Sequence, residues 1–415
     1  MKQYFTPAVN FYKDTNPKAL IEQYGSPIYV YSEAILRARC KEMKNLVNYD
    51  KFVPHYSIKA NSNLHLLKIV HEEGLHADAM SPGEIFVLEQ AGFTSDEIFY
   101  VCNNVSIEEM SYAVERDIPV SVDSLSQLEL IGKHFPKAKV AVRFNTGYGA
   151  GHHEKVITAG KKTKFGINDD MADEVKKMLQ KYEMRLIGIN QHIGSLFLEE
   201  TAYVASAELL CRLGLQFEDL EFIDFGGGFG IPYMKQDGQG RLSLRPLGEK
   251  LLRVIQDFNN RYGREITFNI EPGRYIASEC SVLLGTVHAL KHHAGIDYVG
   301  TDLGFNVLQR PVMYDSHHDI EVYRDGEITF DGMETVTIVG NICESGDKLA
   351  IGRTLPTIQE NDIIGVMDAG AYGYSMASNY NNRLRPAEVL IQTDGSTRLI
   401  RKRDTLEDLI RGFDI

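Results

Sequence analysis

The sequence predicts an α/β chain: a parallel (β/α)8 barrel followed by a mostly β domain. Three observations predict it. Short apolar runs alternate with amphipathic stretches of helical spacing over about 250 residues. The residue types that carry chemistry fall just after the apolar runs. Beyond about residue 280 the helical stretches give way to strands and turns. An open doubly wound sheet stays possible, because periodicity does not show closure.

The length of 415 residues exceeds one ordinary core and calls for two domains. We assign residues 27–280 to the barrel and 281–415 to the β domain, which residues 1–26 are expected to join. The barrel region opens with "PIYVYS", a strand, then the helix-like "EAILRARCKEMKNLV". "FVPHYSI" is a strand and "LHLLKIVHEEG" a helix ending at Gly74. "HADAMS" precedes the helix-like "PGEIFVLEQAG". The rhythm returns in "EIFYVC", "PVSVDS", "KVAVRF", "RLIGINQHIG", "LEFIDFGGG" and "ITFNIEPGR". In the second domain, "VLLGTVHALKHH", "DYVGTDLG", "IEVY", "ETVTIVGNI", "DIIGVMDAG" and "AEVLIQT" read as strands.

With 44 Lys and Arg against 57 Asp and Glu, the net charge is −13. That balance argues against a nucleic-acid or membrane surface, though not against small anionic ligands. The five cysteines form no CxxC pair, so neither a disulfide framework nor a zinc site is indicated and a reducing cytoplasm is expected. The N-terminus has no signal-peptide pattern, and no apolar run reaches the length of a membrane span. The pairs His152-His153, His292-His293 and His317-His318 make a poor metal reading, because adjacent side chains diverge. The basic run Lys161 to Lys164 reads as a solvated loop.

Lys59 ends the strand "FVPHYSI" and admits three readings: a boundary residue, a phosphate ligand, or an amine that forms a covalent bond. Asp78, His192, Ser195, the run Gly226 to Gly230, and Glu271 to Arg274 also follow apolar runs. Residues without Cβ let backbone N–H groups approach an oxyanion closely, although such glycines as readily mark a tight turn. No Gly-Lys-Ser/Thr follows, so this is not a P-loop. A lysine, a phosphate cradle, an imidazole and a carboxylate at one barrel mouth are together what pyridoxal 5′-phosphate uses. The amine takes the aldehyde, the glycines hold the phosphate, the imidazole stacks on the ring, and the carboxylate keeps the ring nitrogen protonated.

The residues also carry a resemblance. "YSIKAN", "HIGS", "GGGFG", "EPGR", "CESGD" and "AYGYSMASNYN" resemble the motif series of fold-type III, alanine-racemase-like PLP decarboxylases. "CESGD", "RPVMY", "NNRLRPAEVL" and the loop His152 to Ile167 are most similar to the diaminopimelate decarboxylase family. The resemblance spans nearly the whole chain in the family's order.

It implies decarboxylation of meso-2,6-diaminopimelate to L-lysine and CO2. Lys59 would be the Schiff-base lysine, His192 would pack on the ring, and Glu271 would pair with the pyridine nitrogen. Asp78, Ser195, Gly227, Gly228, Gly273, Arg274 and Tyr372 would complete the cofactor site. Arg274, Arg310 and Tyr314 would bind the distal carboxylate of the substrate and Glu344 its distal ammonium, with Tyr372 also in contact with the substrate. Cys343 would be the acid that protonates Cα, delivered with "CESGD" from the second subunit of a homodimer. The sequence departs from the family at Gly340-Asn341-Ile342, at Leu303 and at Val307-Leu308-Gln309, all near the substrate side. The rival readings are a decarboxylase of ornithine, lysine, arginine or carboxynorspermidine, a racemase, and a non-catalytic PLP carrier. Glu271 disfavours the racemase; the β domain and "CESGD" disfavour the carrier.

Overall fold

A computed structural model describes residues 4–147, 150–151 and 164–414. His152, His153, Lys161, Lys162 and most of the loop resemblance from His152 to Ile167 lie outside the described residues. The chain divides into two compact units. One is Ala38–Ile231 with Arg241–Ile276; the other is Met1–Arg37, Pro232–Gly240 and Ala277–Ile415.

The first unit is a closed parallel barrel. Its strands are β1 (Phe52–Ser57), β2 (His76–Ala79), β3 (Ile98–Val101), β4 (Val120–Val122), β5 (Lys139–Asn145), β6 (Arg185–Asn190), β7 (Phe222–Asp224) and β8 (Thr267–Ile270). Each pairs with its neighbour in sequence, and β8 pairs with β1, Ile270 opposite Pro54, to close the ring. These strands are buried on both faces, which is why they read as continuous apolar runs rather than alternating ones.

The interior is packed. Phe99, Val101 and Ala141 cluster with Met80 and Phe222, and the Phe99 and Phe222 rings meet edge to face at 5.2 Å. His55 stacks on His76 at 5.4 Å. Burial pulls His55 down to about 3, so it is a neutral core residue.

Several of the helices that follow the strands start at a side-chain cap. The Asn63 side chain accepts from the His65 N–H ahead of Leu64–Glu72. Ser81 accepts from Glu84 N–H ahead of Pro82–Ala91, whose first position is proline. The long helix Leu244–Tyr262 buries Leu247, Leu251, Val254, Ile255 and Phe258, a stripe at helical spacing.

The second unit is mostly β. Ile28–Ser32, expected to open the barrel, instead pairs parallel with Ala387–Ile391 and antiparallel with Ser281–His293. Its period identified a strand but could not name its partners. The core gathers Phe11, Leu20, Ile28, Val30, Val282, Leu284, Met367, Val389 and Ile391. The N-terminal helix Phe5–Ala8 is held by the buried Glu321 carboxylate, which accepts from the N–H groups of Phe5 at 2.6 Å and Thr6 at 3.1 Å. Near the C-terminus, "TLEDLIRGF" forms only the short 3₁₀ turn Glu407–Ile410. Among the described residues no helix is long and apolar enough to cross a membrane.

Candidate active site

The barrel's C-terminal rim collects the sequence-predicted residues of that unit. Lys59 lies on the 3₁₀ turn Ile58–Ala60 that ends β1, with Nζ 3.9 Å from Asp78 Oδ2 at the end of β2. Asp78 is 1% exposed, and neither of its oxygens has a hydrogen-bond partner. The nearby Ser57 hydroxyl donates to the Glu271 carbonyl instead, at 3.1 Å. Burial pushes the Asp78 carboxyl up to about 7, against the pull of the Lys59 ammonium.

Glu271 follows β8 directly and is buried, with Oε1 lacking a hydrogen-bond partner. Burial raises its carboxyl, and the charges of Lys59 and Arg143 oppose that rise. His192, two residues beyond β6, accepts the Gly227 N–H at Nδ1 over 3.2 Å. Burial and the cations Lys59 and Arg143 hold its imidazole well below its ordinary value. The ring is therefore neutral with its proton on Nε2. Its 3.6 Å approach to Glu271 Oε2 is accordingly not an ion pair.

The glycine run packs against the neighbouring loops. A Cβ on Gly227 would lie 2.2 Å from the Glu271 carbonyl oxygen; one on Gly228, where φ is 106°, would lie 2.7 Å from the Gly194 carbonyl. Beside it, the buried Arg274 guanidinium donates to Ser195 Oγ, from Nη2 at 2.9 Å and Nε at 3.3 Å. Gly273, at the same turn, faces the Ser57 and Ala60 side chains.

Two residues of this cluster were not singled out in the sequence. Arg143 is buried in β5 with its guanidinium 4.6 Å from the Phe165 ring centre. The signal was an arginine inside the apolar run "KVAVRF", which only pays to bury if it has partners. Asp224 ends β7, accepts the Gly226 N–H at 2.7 Å, and leaves Oδ2 buried without a hydrogen-bond partner. Burial and the charges of Glu271 and Asp78 raise it well above the carboxylate range. Three buried carboxyls, two cations and a neutral imidazole thus share one field.

The remaining predicted residues lie in the β unit. Arg310 opens the short helix Arg310–Tyr314 and is 2% exposed; Tyr314 at the helix end is half-buried. Tyr372 is half-buried with φ 57°, a left-handed conformation unusual for a tyrosine. Cys343 is the one exposed cysteine of five, all of them free. Its backbone N–H donates to Asn381 Oδ1 at 2.8 Å, and the Tyr380 hydroxyl donates to the Glu344 carboxylate. His292 bonds Asp297, and among the described residues no group of three or more His, Cys, Asp or Glu side chains is placed to hold a metal ion.

The family model for the pyridoxal-dependent decarboxylase pyridoxal-binding domain matches residues 33–278. A diaminopimelate decarboxylase of Methanothermobacter thermautotrophicus is 39% identical, covering 95% of this chain and 93% of its own. The chain belongs to the diaminopimelate decarboxylase family of pyridoxal-dependent enzymes. Solved family members superpose closely. The Helicobacter pylori enzyme complexed with L-lysine gives a TM-score of 0.87 at 29% identity, covering 95% of this chain and 98% of that one. The M. jannaschii enzyme in co-complex with L-lysine gives 0.87 at 30% identity, covering 97% of each.

The residues present fit the family's cofactor, pyridoxal 5′-phosphate. The buried Glu271 Oε1 lacks a donor, which a protonated pyridine nitrogen supplies. The Arg274 guanidinium and the Ser195 hydroxyl are donors that suit a phosphate, and the glycine loop packs without side chains against the neighbouring Gly194 carbonyl.

Proposed function

We propose that this protein decarboxylates meso-2,6-diaminopimelate to L-lysine and CO2, using pyridoxal 5′-phosphate. The observation that carries the cofactor chemistry is the buried, donor-seeking Glu271 carboxylate set at the same barrel mouth as Lys59. When bound, the cofactor supplies an electron sink for the electron pair left at Cα as CO2 departs.

The chain's own residues do the rest. Lys59 is the amine that holds the cofactor through its aldehyde, and Asp78 steadies the charge of that amine from 3.9 Å. Glu271 accepts from the ring nitrogen and keeps a proton there. His192, neutral and fixed by the Gly227 N–H, offers an uncharged face to the ring. Ser195, Gly227, Gly228, Gly273, Arg274 and Tyr372 bind the phosphate. Arg274, Arg310 and Tyr314 take the distal carboxylate of the substrate, and Tyr372 also contacts the substrate. The guanidinium fork suits that carboxylate because it donates two parallel hydrogen bonds. Glu344 pairs with the distal ammonium, and the Cys343 thiol gives Cα its proton.

Cys343 and Glu344 sit on an exposed loop, as groups offered to a second molecule do. The family resemblance implies a homodimer in which each subunit lends this loop to the other's site, and the exposure of Cys343 suits that assignment. Five free cysteines suit a reducing cytoplasm.

The test is lysine formation and CO2 release from meso-diaminopimelate by the PLP-loaded protein, with LL-diaminopimelate, lysine, ornithine and arginine alongside. Release from the meso isomer alone supports the proposal. Release only from another diamino acid overturns the roles given to Arg310 and Glu344.

A further inference from the structure

The second histidine of the pair His317-His318 sits beside Arg310. His318 is 2% exposed, with Nδ1 2.7 Å from the Met367 carbonyl oxygen. A carbonyl only accepts, so Nδ1 carries a proton. A neutral ring then presents its lone pair at Nε2, and Arg310 Nη1 lies 2.7 Å from that atom. The other arm, Nη2, reaches Ser316 Oγ at 3.3 Å. Tyr233 lies under the guanidinium at 4.5 Å and meets the His318 ring edge to face at 5.2 Å.

The acceptor at the far end of this relay is itself fixed. The Met367 N–H donates to the Asp319 carbonyl at 2.9 Å. The next residue, Asp368, is fully buried and receives the Lys235 ammonium on both oxygens at 2.7 Å, while Glu279 takes the same ammonium at 3.3 Å. His318, Ser316 and Tyr233 are neutral partners. They aim the fork of Arg310 without cancelling its charge, which an aspartate or glutamate in place of His318 would do.

We propose that His318 is a positioning residue that orients Arg310 for a substrate carboxylate and thereby sets the preference for a diamino dicarboxylate. The inference rests on the reading of Arg310 as a carboxylate anchor. It is tested by steady-state kinetics of the PLP-loaded full chain on meso-diaminopimelate, comparing the parent with His318→Phe, His318→Gln and Arg310→Met. His318→Phe is expected to raise KM on the order of 10–100-fold, the range for a lost hydrogen bond to a charged group, with kcat little changed. His318→Gln, which keeps an acceptor but cannot serve both partners from opposite ring edges, falls between Phe and the parent.

KM unchanged in His318→Phe while Arg310→Met raises it overturns the inference alone. Equal losses in kcat and thermal midpoint with no rise in KM also overturn it, by making His318 a packing residue. KM unchanged in Arg310→Met overturns the carboxylate-anchor reading and the inference with it. Should His318→Phe not fold, a raised KM in His318→Gln supports the inference and an unchanged one overturns it.

Discussion

Replacing Gly227 with alanine isolates the steric demand of the glycine loop. Unlike Gly226 and Gly228, with φ of 77° and 106°, Gly227 lies outside the left-handed region, so alanine meets no backbone penalty there. The added Cβ would stand 2.2 Å from the Glu271 carbonyl oxygen and 3.2 Å from His192 Cε1. Backbone, not a flexible side-chain tip, must give way, by roughly 1 Å, at an overpacking cost of about 1–3 kcal/mol. The displaced groups are those that carry Glu271 and orient His192, and a ~1 Å misplacement at a reacting centre costs about 10²-fold in rate. Gly240→Ala is the control, since a Cβ there meets nothing within 4 Å. The assays are thermal unfolding, cofactor titration by visible absorbance, and decarboxylation rate. Gly227→Ala is expected to lose stability, cofactor affinity and rate, while Gly240→Ala stays within about 0.5 kcal/mol of the parent. A Gly227→Ala protein matching Gly240→Ala in all three would refute the close-packed cradle.

Asp78→Asn tests the buried carboxyls through pH. The folded-state value of about 7 lies above the ordinary 3.8, so the native state holds this proton more tightly and stability falls as pH rises from about 4 to about 7. The cofactor-free variant, lacking that titration, should lose less stability than the parent across this window, as read by denaturant midpoints; parallel pH curves would argue against it. The shared-site homodimer predicts complementation. Lys59→Ala and Cys343→Ala, each nearly inactive alone, should recover about one quarter of parental activity when mixed and reassembled, since half the dimers then hold one intact site. No recovery in a proven heterodimer would place both residues in one subunit's site.

Much of this arrangement was legible because a barrel delivers strand ends to one rim. Lys59, Asp78, His192 and Glu271 needed only their positions after apolar runs to be grouped. Arg143 escaped because its charge sits inside such a run, where hydrophobic pattern dominates the reading. Asp224 is not legible because only the folded turn shows its carboxylate buried, with one oxygen on the Gly226 N–H and the other without a hydrogen-bond partner. Partners are harder to read than elements. Ile28–Ser32 has the period of a strand, yet only the register with Ala387–Ile391 and Ser281–His293 shows which sheet it joins. A glycine run in the sequence suggests room for a phosphate, whereas the close approach of these glycines to the Glu271 and Gly194 carbonyls depends on loops distant in sequence. For the same reason His317-His318 offered only a weak metal reading, whereas the fold engages His318 with Arg310 and Met367.

The assignment of the Lys59 amine as the group that carries the cofactor at the barrel mouth is tested most directly by borohydride reduction of the PLP-loaded protein, followed by peptide mass spectrometry. A single pyridoxyl-modified peptide with the added mass on Lys59 is expected. The mass on another lysine, with Lys59 unmodified in the active protein, would contradict the assignment.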